Sequence, residues 1–268
     1  MLTYRDLITG LRGLDIASDR PVIVHASLSA FGEVHGGADT VVGGLISSFD
    51  SIVMPVFTYK TMLTPELGPA DNAILYGSGK ETNKLAEIYD PGMPADTMMG
   101  SVAETLRKHP NARRSAHPIL SFAGVNAEPY LDAQTIEAPL LPIQKLIDDE
   151  GWVLLMGVDQ TVNTSIHYCE RLVGRKQFTR WALTSGGVVT CPAFPGCSDG
   201  FEAITPLLGE VARRVRLGAG MIQAIPLVNL VDAVHAMIKG NPVALLCERE
   251  SCPRCSAVRA SVALSRTG

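Results

Sequence analysis

The chain has 268 residues, of which 46% are hydrophobic and 19% charged, a globular composition that excludes a disordered or fibrous protein. A formal net charge of -4 leaves no basic stripe for a nucleic-acid backbone, and the sequence has neither a secretory leader nor an apolar run long enough to cross a bilayer. We therefore expect a cytoplasmic protein with neither a nucleic-acid nor a membrane partner. In that compartment its cysteines are expected to be free thiols or metal ligands.

The first third of the chain predicts a helix, two buried strands joined by a second helix, and a long loop. Residues 3–12 have a helical pattern, whereas residues 21–24 and 51–58 are apolar runs typical of buried strands. Residues 38–48 predict the connecting helix, so the two strands would form a parallel βαβ unit. Residues 59–94 lose this periodicity, and a loop of that length in a compact domain is usually functional.

The rest of the chain continues to alternate between helical and strand patterns. Residues 97–109 predict a helix that Pro110 ends. The later elements are expected at 119–125 (strand), 140–147 (helix), 151–158 (strand), 181–184, 188–192 and 221–225 (hairpin-like strands) and 227–238 (helix). This order predicts an α/β fold, and we assign residues 1–268 to one domain with the loop 59–94 inserted.

The segment that follows the strand at 151–158 is the most informative for chemistry. His167 and Glu170 are three residues apart on a predicted helix that begins at the carboxyl edge of the sheet, where ligands usually bind. Thr164 or Ser165 is expected to cap that helix. We interpret His167 as a general base with Glu170 as its carboxylate partner, against the alternative of a structural histidine.

Asp199 is a second candidate partner for His167. The alternative is that Asp199 only forms an ordinary Asp-Gly turn. Two further segments favour a bound phosphate. Ser27 and Ser29 lie in a Gly-containing loop ahead of a helix, where backbone N–H groups can approach an anion. The loop taken alone favours the alternative, a tight turn in which Ser27 or Ser29 caps a helix. Arg114, with Arg113 and His117 nearby, suits phosphate binding or a solvated basic turn.

Three cysteines near the C-terminal end have the spacing of metal ligands. Cys252 and Cys255 form a C-x2-C pair, and Cys247 lies five residues upstream. A closed zinc site needs a fourth ligand, which Cys191 or Cys197 would supply. The segment therefore suggests a structural zinc site, although it contains only half of the usual pair-of-pairs pattern.

Several segments in the same order resemble the aminoglycoside 3-N-acetyltransferase family. The resemblance rests on His25-Ala-Ser-Leu-Ser-Ala-Phe-Gly, Gly-Gly-Ala-Asp-Thr-Val at 36–41, Met54-Pro-Val-Phe-Thr, Arg114-Ser-Ala-His-Pro-Ile-Leu-Ser-Phe-Ala, the segment 157–170 and Cys197-Ser-Asp-Gly-Phe. It implies an α/β/α sandwich around a mixed, largely parallel sheet, with acetyl-CoA as donor and direct attack of an amine on the thioester.

The resemblance also assigns roles to residues. It implies a coenzyme site formed by Ser27, Leu28, Ser29, Thr58, Arg114, Ser115 and Ser121. It implies that His167 deprotonates the amine, with Glu170 and Asp199 as candidate carboxylates. The loop 59–94 would form the acceptor wall, and its few acidic residues leave open whether the acceptor is an aminoglycoside or another amine.

Two other functions remain as alternatives at this point. One is a zinc-stabilised binding protein on the same scaffold. The other is a hydrolase of acyl thioesters with Ser27 or Ser29 as nucleophile, although neither serine lies in a nucleophile elbow. The sequence does not determine the oligomeric state, and a homodimer is one alternative.

Overall fold

A computed structural model describes residues 1–265 of the chain. Its strands are β1 (Val22–Ala26), β2 (Ile52–Pro55), β3 (Met62–Leu63), β4 (Ala112–Arg114), β5 (Phe122–Val125), β6 (Trp152–Met156), β7 (Phe178–Thr184), β8 (Gly187–Phe194), β9 (Arg213–Leu217) and β10 (Gly220–Pro226). Its α-helices are α1 (Tyr4–Arg12), α2 (Gly37–Ile46), α3 (Gly100–Lys108), α4 (Glu128–Leu131), α5 (Leu141–Asp148), α6 (Thr164–Leu172), α7 (Leu227–Gly240) and α8 (Pro253–Ser265).

The central sheet has the strand order β4-β5-β2-β1-β6-β10-β9. The predicted βαβ unit is confirmed, because β1 pairs parallel with β2 and α2 connects them. β1 also pairs parallel with β6, from Val22 opposite Trp152 to Ala26 opposite Met156. The expectation of a largely parallel sheet is corrected, because the four outer pairings are all antiparallel.

The sheet is buried on both faces. Val22 and Val24 of β1 contribute to one hydrophobic core, whereas Ile23 between them contributes to the other. Helices α1, α2 and α3 pack into the first core, and α5, α6 and α7 pack into the second. Fully burying one such aliphatic side chain stabilises a fold by about 1.5–3 kcal/mol. The predicted α/β/α sandwich around a mixed sheet is therefore confirmed.

A second, three-stranded sheet, β3-β7-β8, fixes the long loop to the body of the protein. Within residues 59–94, β3 pairs antiparallel with β7 through Met62 opposite Ala182. Asn72 adds a second attachment, since its Oδ1 accepts from the Thr179 backbone N–H at 2.7 Å and its Nδ2 donates to the Thr179 carbonyl at 2.9 Å. The loop is thus held in one place although most of it is irregular.

The helix predicted at 97–109 begins later than its sequence pattern indicates. Residues 97–99 form a 3₁₀ turn, and the α-helix starts at Gly100, whose φ is +80°. This conformation favours glycine. A Cβ at this position would also lie 3.3 Å from the Ala26 carbonyl oxygen. Gly100 therefore lets the start of α3 approach the end of β1 closely.

Among the described residues, five strands and α-helices lie where we predicted none: β3, β4, β9, α4 and α8. β4 and β9 are the two edge strands, and each is only partly buried, so neither has the apolar run that predicts a strand. Among residues 1–265, no helix combines the length and apolarity needed to cross a membrane.

Candidate functional site

A large cavity of about 1240 Å³ opens at the carboxyl ends of the parallel strands β1 and β6. Its wall is formed by the loop after β1, the start of α3, the start of α6, parts of the loop 59–94, residues 194–199 and Arg254. Open α/β sheets usually bind their ligands at this edge. The volume exceeds that of an ordinary small-molecule pocket, so the cavity has room for two ligands together.

The loop after β1 places Ser27, Leu28 and Ser29 in this wall, as expected. The Ser27 backbone N–H donates to the Met156 carbonyl at 2.9 Å, which joins the ends of β1 and β6. The hydroxyl oxygens of Ser27 and Ser29 are 3.2 Å apart. Gly157 follows β6 with φ +70°, and a Cβ there would lie 2.5 Å from that of Ala30, so only glycine permits this packing.

Besides the start of α6, the start of α3 faces the cavity, whereas the start of α2 does not. Met99, Gly100 and Ser101 line the cavity, whereas Gly36 and Gly37 do not. The first N–H groups of a helix lack intrahelical partners and favour an anion. The sequence predicted this helix but not its place at the cavity, although a glycine near the start of the helical pattern was an available signal.

His167, Glu170 and Arg175 form a buried chain of polar contacts at the start and end of α6. His167 Nδ1 is 3.1 Å from Glu170 Oε2, and Arg175 Nη1 donates to Glu170 Oε1 at 2.6 Å. Their side chains are 11%, 3% and 3% exposed. Because Glu170 engages Nδ1, Nε2 is the ring nitrogen available to a ligand in the cavity that His167 lines.

Arg175 compensates the charge of the buried Glu170 carboxylate. Its other contacts hold it in place, since Nη1 donates to the Ala244 carbonyl and Nη2 to the Pro242 carbonyl, each at 2.8 Å. Sequence reasoning did not identify Arg175, because it lies beyond the end of α6 and its partners come from a segment about 70 residues away.

The cap of α6 differs from the expectation. Asn163 is the N-cap residue, and its side chain accepts a hydrogen bond from the Ser165 backbone N–H at 3.1 Å. Thr164 and Ser165 therefore do not cap the helix, which begins at Thr164, at least one residue earlier than a cap at Thr164 or Ser165 implies. The His167 ring also packs edge-on against Phe201, with centroids 4.7 Å apart. These contacts fix the orientation of His167.

Asp199 lines the same cavity but has a different partner. Its carboxylate pairs with Arg249, and both side chains are largely exposed. No hydrogen bond joins Asp199 to His167 within residues 1–265. Of the two candidate carboxylates, Glu170 is the one that contacts the imidazole.

A second histidine, His25, lines the cavity from β1, but it is a poor base. Burial lowers its pKa to about 3, and its Nε2 has no hydrogen-bond partner among the described residues. A base of that strength is too weak to deprotonate an ammonium group near neutral pH. The contact of His167 with Glu170, together with the lowered pKa of His25, favours His167 over His25 as the proton acceptor.

The other four predicted coenzyme residues do not line the cavity: Thr58, Arg114, Ser115 and Ser121. Their side chains make internal hydrogen bonds instead. The Arg114 guanidinium donates to the carbonyls of Val56, at 2.9 Å, and Met93, at 2.6 Å. In this structure, the four residues support the loops behind the cavity and do not form its surface.

The basic turn at 113–117 also has a structural role. His117 Nδ1 accepts from the backbone N–H groups of Ile119 and Leu120, at 3.1 and 2.9 Å, and burial lowers the pKa of His117 to about 4. Arg113 pairs with Asp132 at the surface. The interpretation of this segment as a locally hydrogen-bonded turn is confirmed for His117.

The charge of the cavity wall comes mainly from two arginines, Arg180 and Arg254. Burial lowers the pKa of Arg180 to about 10, which leaves it a cation at neutral pH. Arg254 Nη1 donates to the Gly196 carbonyl at 2.9 Å. Asp199 is the sole carboxylate among the lining residues, and the acidic residues of the loop 59–94 do not line the cavity. This wall suits a ligand that carries an anionic group.

Four cysteines converge beside this wall. The sulfur atoms of Cys197, Cys247, Cys252 and Cys255 all lie within 4.8 Å of one another, and all four residues are buried free thiols. Cys197, and not Cys191, therefore completes the set predicted from the sequence. Cys191 belongs to the core beneath α6 and α7.

Comparisons with known proteins place these features in a family. Residues 23–239 match the sequence model described as aminoglycoside 3-N-acetyltransferase. Aminoglycoside N(3)-acetyltransferase III from a Salmonella species is 27% identical over 241 residues, which cover 80% of this chain and 82% of the relative.

Two solved structures show the same fold. The apoenzyme of aminoglycoside acetyltransferase AAC(3)-IVa has a TM-score of 0.79 at 22% identity and covers 97% of this chain and 98% of its own. The binary complex of AAC-IIIb with CoASH has a TM-score of 0.70 at 21% identity and covers 89% and 97%.

The family match covers well over half of the chain and ends at residue 239, before the three cysteines of the C-terminal segment. Members of the family are enzymes, and their co-substrate is acetyl-CoA. The predicted family, enzyme class and co-substrate are thereby confirmed. The chain belongs to the aminoglycoside 3-N-acetyltransferase family.

Proposed function

We propose that the protein transfers the acetyl group of acetyl-CoA to the 3-amino group of an aminoglycoside, or to a similar amine, with His167 as the general base. The observation that carries this proposal is the buried contact of His167 Nδ1 with Glu170, which leaves Nε2 as the free ring nitrogen beside a cavity large enough for two ligands. The 27% identical relative from a Salmonella species adds support.

In the proposed reaction, His167 Nε2 takes a proton from the acceptor ammonium group, and the amine nitrogen attacks the thioester carbonyl carbon. A C–N bond forms, the C–S bond breaks, and coenzyme A leaves as the thiolate. The proton on the imidazolium then passes to that thiolate. The nitrogen, which became cationic when the C–N bond formed, loses its second proton to solvent, so the products are a neutral amide and the coenzyme A thiol. Glu170 holds the neutral ring with its proton on Nδ1 and stabilises the imidazolium that forms, a role that Arg175 supports by holding the carboxylate in place.

Acetyl-CoA would bind along the loop Ser27–Ser29 and the start of α3 in this proposal. Two small hydroxyl side chains and the free N–H groups of a helix start are groups that bind phosphate oxygens and a thioester carbonyl. Four residues would contribute indirectly, by holding the loops that carry this surface: Thr58, Arg114, Ser115 and Ser121.

The loop 59–94 would form the acceptor side of the cavity. The cavity as a whole offers a polycationic aminoglycoside one carboxylate, Asp199, and this carboxylate already pairs with Arg249. Arg180 and Arg254 instead suit an acceptor whose amine lies near a phosphate or carboxylate group. Such an amphoteric amine is the second candidate acceptor, favoured by these two arginines.

Acceptor-dependent release of coenzyme A from acetyl-CoA tests the proposal. A panel should contain aminoglycosides and, separately, primary amines that carry a phosphate or carboxylate. We expect turnover with at least one panel and an acetylated amine by mass spectrometry. His167→Ala should lose about 10²- to 10⁴-fold in kcat while it still binds coenzyme A.

Two results would overturn the proposal. One is coenzyme A release at the same rate with and without an amine, which would indicate a thioester hydrolase. The other is near-normal turnover of His167→Ala. His25→Gln is the control variant for an imidazole in the same cavity, and its kcat should fall less than that of His167→Ala.

A further inference from the structure

The four-cysteine cluster is separate from the chemistry proposed for His167 and from both main cores. Cys197 lies in the segment after β8, whereas Cys247, Cys252 and Cys255 lie before and at the start of α8. Among the described residues, Leu246 is the sole partly buried hydrophobic residue that packs against this cluster. Apolar packing therefore does not explain why four thiols meet at this place.

The spacing of the sulfur atoms suits a single metal ion. All four lie within 4.8 Å of one another. In a tetrahedral zinc site with Zn–S bonds of about 2.3 Å, the sulfurs lie roughly 3.8 Å apart, so small side-chain rotations would complete the site. A set of four thiolates excludes hard cations such as magnesium and calcium, which require oxygen ligands.

The C-terminal segment, which comprises residues 245–264, needs such an attachment. In α8, Cys255 and Val258 are the buried residues within 253–264. The segment nevertheless lies close against the loop after Cys197, because a Cβ at Gly200 would be 2.6 Å from the Leu245 carbonyl oxygen. A helix with so little buried apolar surface contributes little to its own docking.

Arginines surround the cluster and link it to the cavity. Arg259 donates to the Cys247 carbonyl, Arg254 donates to the Gly196 carbonyl, and Arg249 pairs with Asp199. Arg254 and Asp199 themselves line the cavity. These cations also offset the negative charge that four thiolates leave around a divalent ion.

We propose that Cys197, Cys247, Cys252 and Cys255 bind one zinc ion, and that this ion fastens the C-terminal segment to residues 196–199 and so holds one wall of the cavity. The inference does not depend on acyl transfer, because it rests on the cysteines alone. It gives the C-terminal segment, which follows the residues that match the family model, a role in shaping the ligand site.

Metal analysis of the purified, tag-free protein tests the proposal. We expect about one zinc ion per chain. Cys197→Ser and Cys252→Ser, which remove ligands from the two different segments, should each lose that zinc. Cys191→Ser changes a buried cysteine outside the cluster, so it should keep the zinc.

A second measurement uses the wild-type protein, so the proposal can be tested even if the cysteine variants fail to fold. Zinc should be released from the wild-type protein as a thiol reagent modifies the cysteines, and cobalt(II) in its place should show the absorption of a tetrahedral thiolate site. In the stripped protein, amide hydrogen exchange at 195–199 and 247–259 should speed up by about tenfold or more, whereas exchange at β1 should not change.

Three results would contradict the proposal. They are a protein without stoichiometric zinc that also fails to bind cobalt, bound iron in the place of zinc, and equal zinc content in the wild type and Cys252→Ser. Unchanged exchange at 195–199 after complete removal of zinc would overturn the part of the proposal that concerns the cavity wall.

Discussion

Two carboxylate–arginine pairs lie next to cavity residues, Glu170–Arg175 behind His167 and Asp199–Arg249 at the cavity rim, and the two pairs differ in burial. Glu170 and Arg175 are each 3% exposed, whereas Asp199 and Arg249 are 49% and 65% exposed. The first pair holds a histidine, and the second holds a surface segment. A buried pair fixes geometry because each charge depends on the other, whereas solvent screens an exposed pair. The comparison therefore predicts very different consequences for equivalent substitutions.

The largest difference is expected for loss of the arginine. Arg175→Met leaves Glu170 buried without its counter-charge and should lower the free energy of unfolding by about 3–5 kcal/mol. Arg249→Met is the matched control on the exposed pair and should lower the free energy of unfolding far less, because solvent screens that pair. Urea unfolding of both variants measures the two values. Equal losses would contradict the contrast between the pairs.

The next prediction concerns the carboxylates. Glu170→Gln keeps an acceptor beside His167 Nδ1 but removes the charge, so kcat should fall by roughly 10- to 100-fold, about 1.4–2.7 kcal/mol of transition-state stabilisation. Asp199→Asn should change kcat by less than about fivefold, because Asp199 does not contact the imidazole. Steady-state kinetics with the accepted amine compare them. A larger kcat loss in Asp199→Asn would make Asp199 the functional partner.

The sequence was sufficient to predict the contact between His167 and Glu170, but not the role of Arg175 or the choice of Cys197 in the cysteine cluster. The His167–Glu170 contact follows from helical spacing after a buried strand, both local properties. Arg175 was missed because its carbonyl partners, Pro242 and Ala244, come from a distant segment. The choice of Cys197 over Cys191 likewise required the tertiary structure.

The same distinction holds for the fold. The buried strands β1, β2 and β6 were predicted because they have continuous apolar runs. The edge strands β4 and β9 were missed, because a half-exposed strand lacks that signal. Thr58 was assigned to the coenzyme surface by resemblance and Arg114 by resemblance and by the phosphate affinity of its guanidinium group. Neither argument reveals which side of a loop a side chain faces.

A separate prediction concerns the buried histidine away from both pairs, His117. The pKa of His117 is lowered to about 4 from 6.5, so between these pH values the unfolded chain binds a proton that the folded chain does not. The free energy of unfolding therefore falls as the pH falls from 6.5 to about 4, by up to about 1.4 kcal/mol per pH unit from this group.

His117→Asn keeps an acceptor for the two backbone N–H groups and should lessen that acid sensitivity, as measured by unfolding at several pH values. His235→Asn makes the same change at an exposed position of α7 and should leave the slope as in the wild type. If both variants have the wild-type slope, the neutral state of His117 does not contribute to acid lability.

The pH dependence of the His167→Ala defect tests the central claim most directly, namely that His167 removes a proton from the attacking amine. With the accepted amine and saturating acetyl-CoA, kcat of the wild type and of His167→Ala should be measured as the pH is raised. As more of the acceptor becomes unprotonated in solution, the variant needs no base, so the ratio of the two kcat values should shrink by up to about tenfold per pH unit. A ratio that stays constant, or grows, with pH would contradict the account.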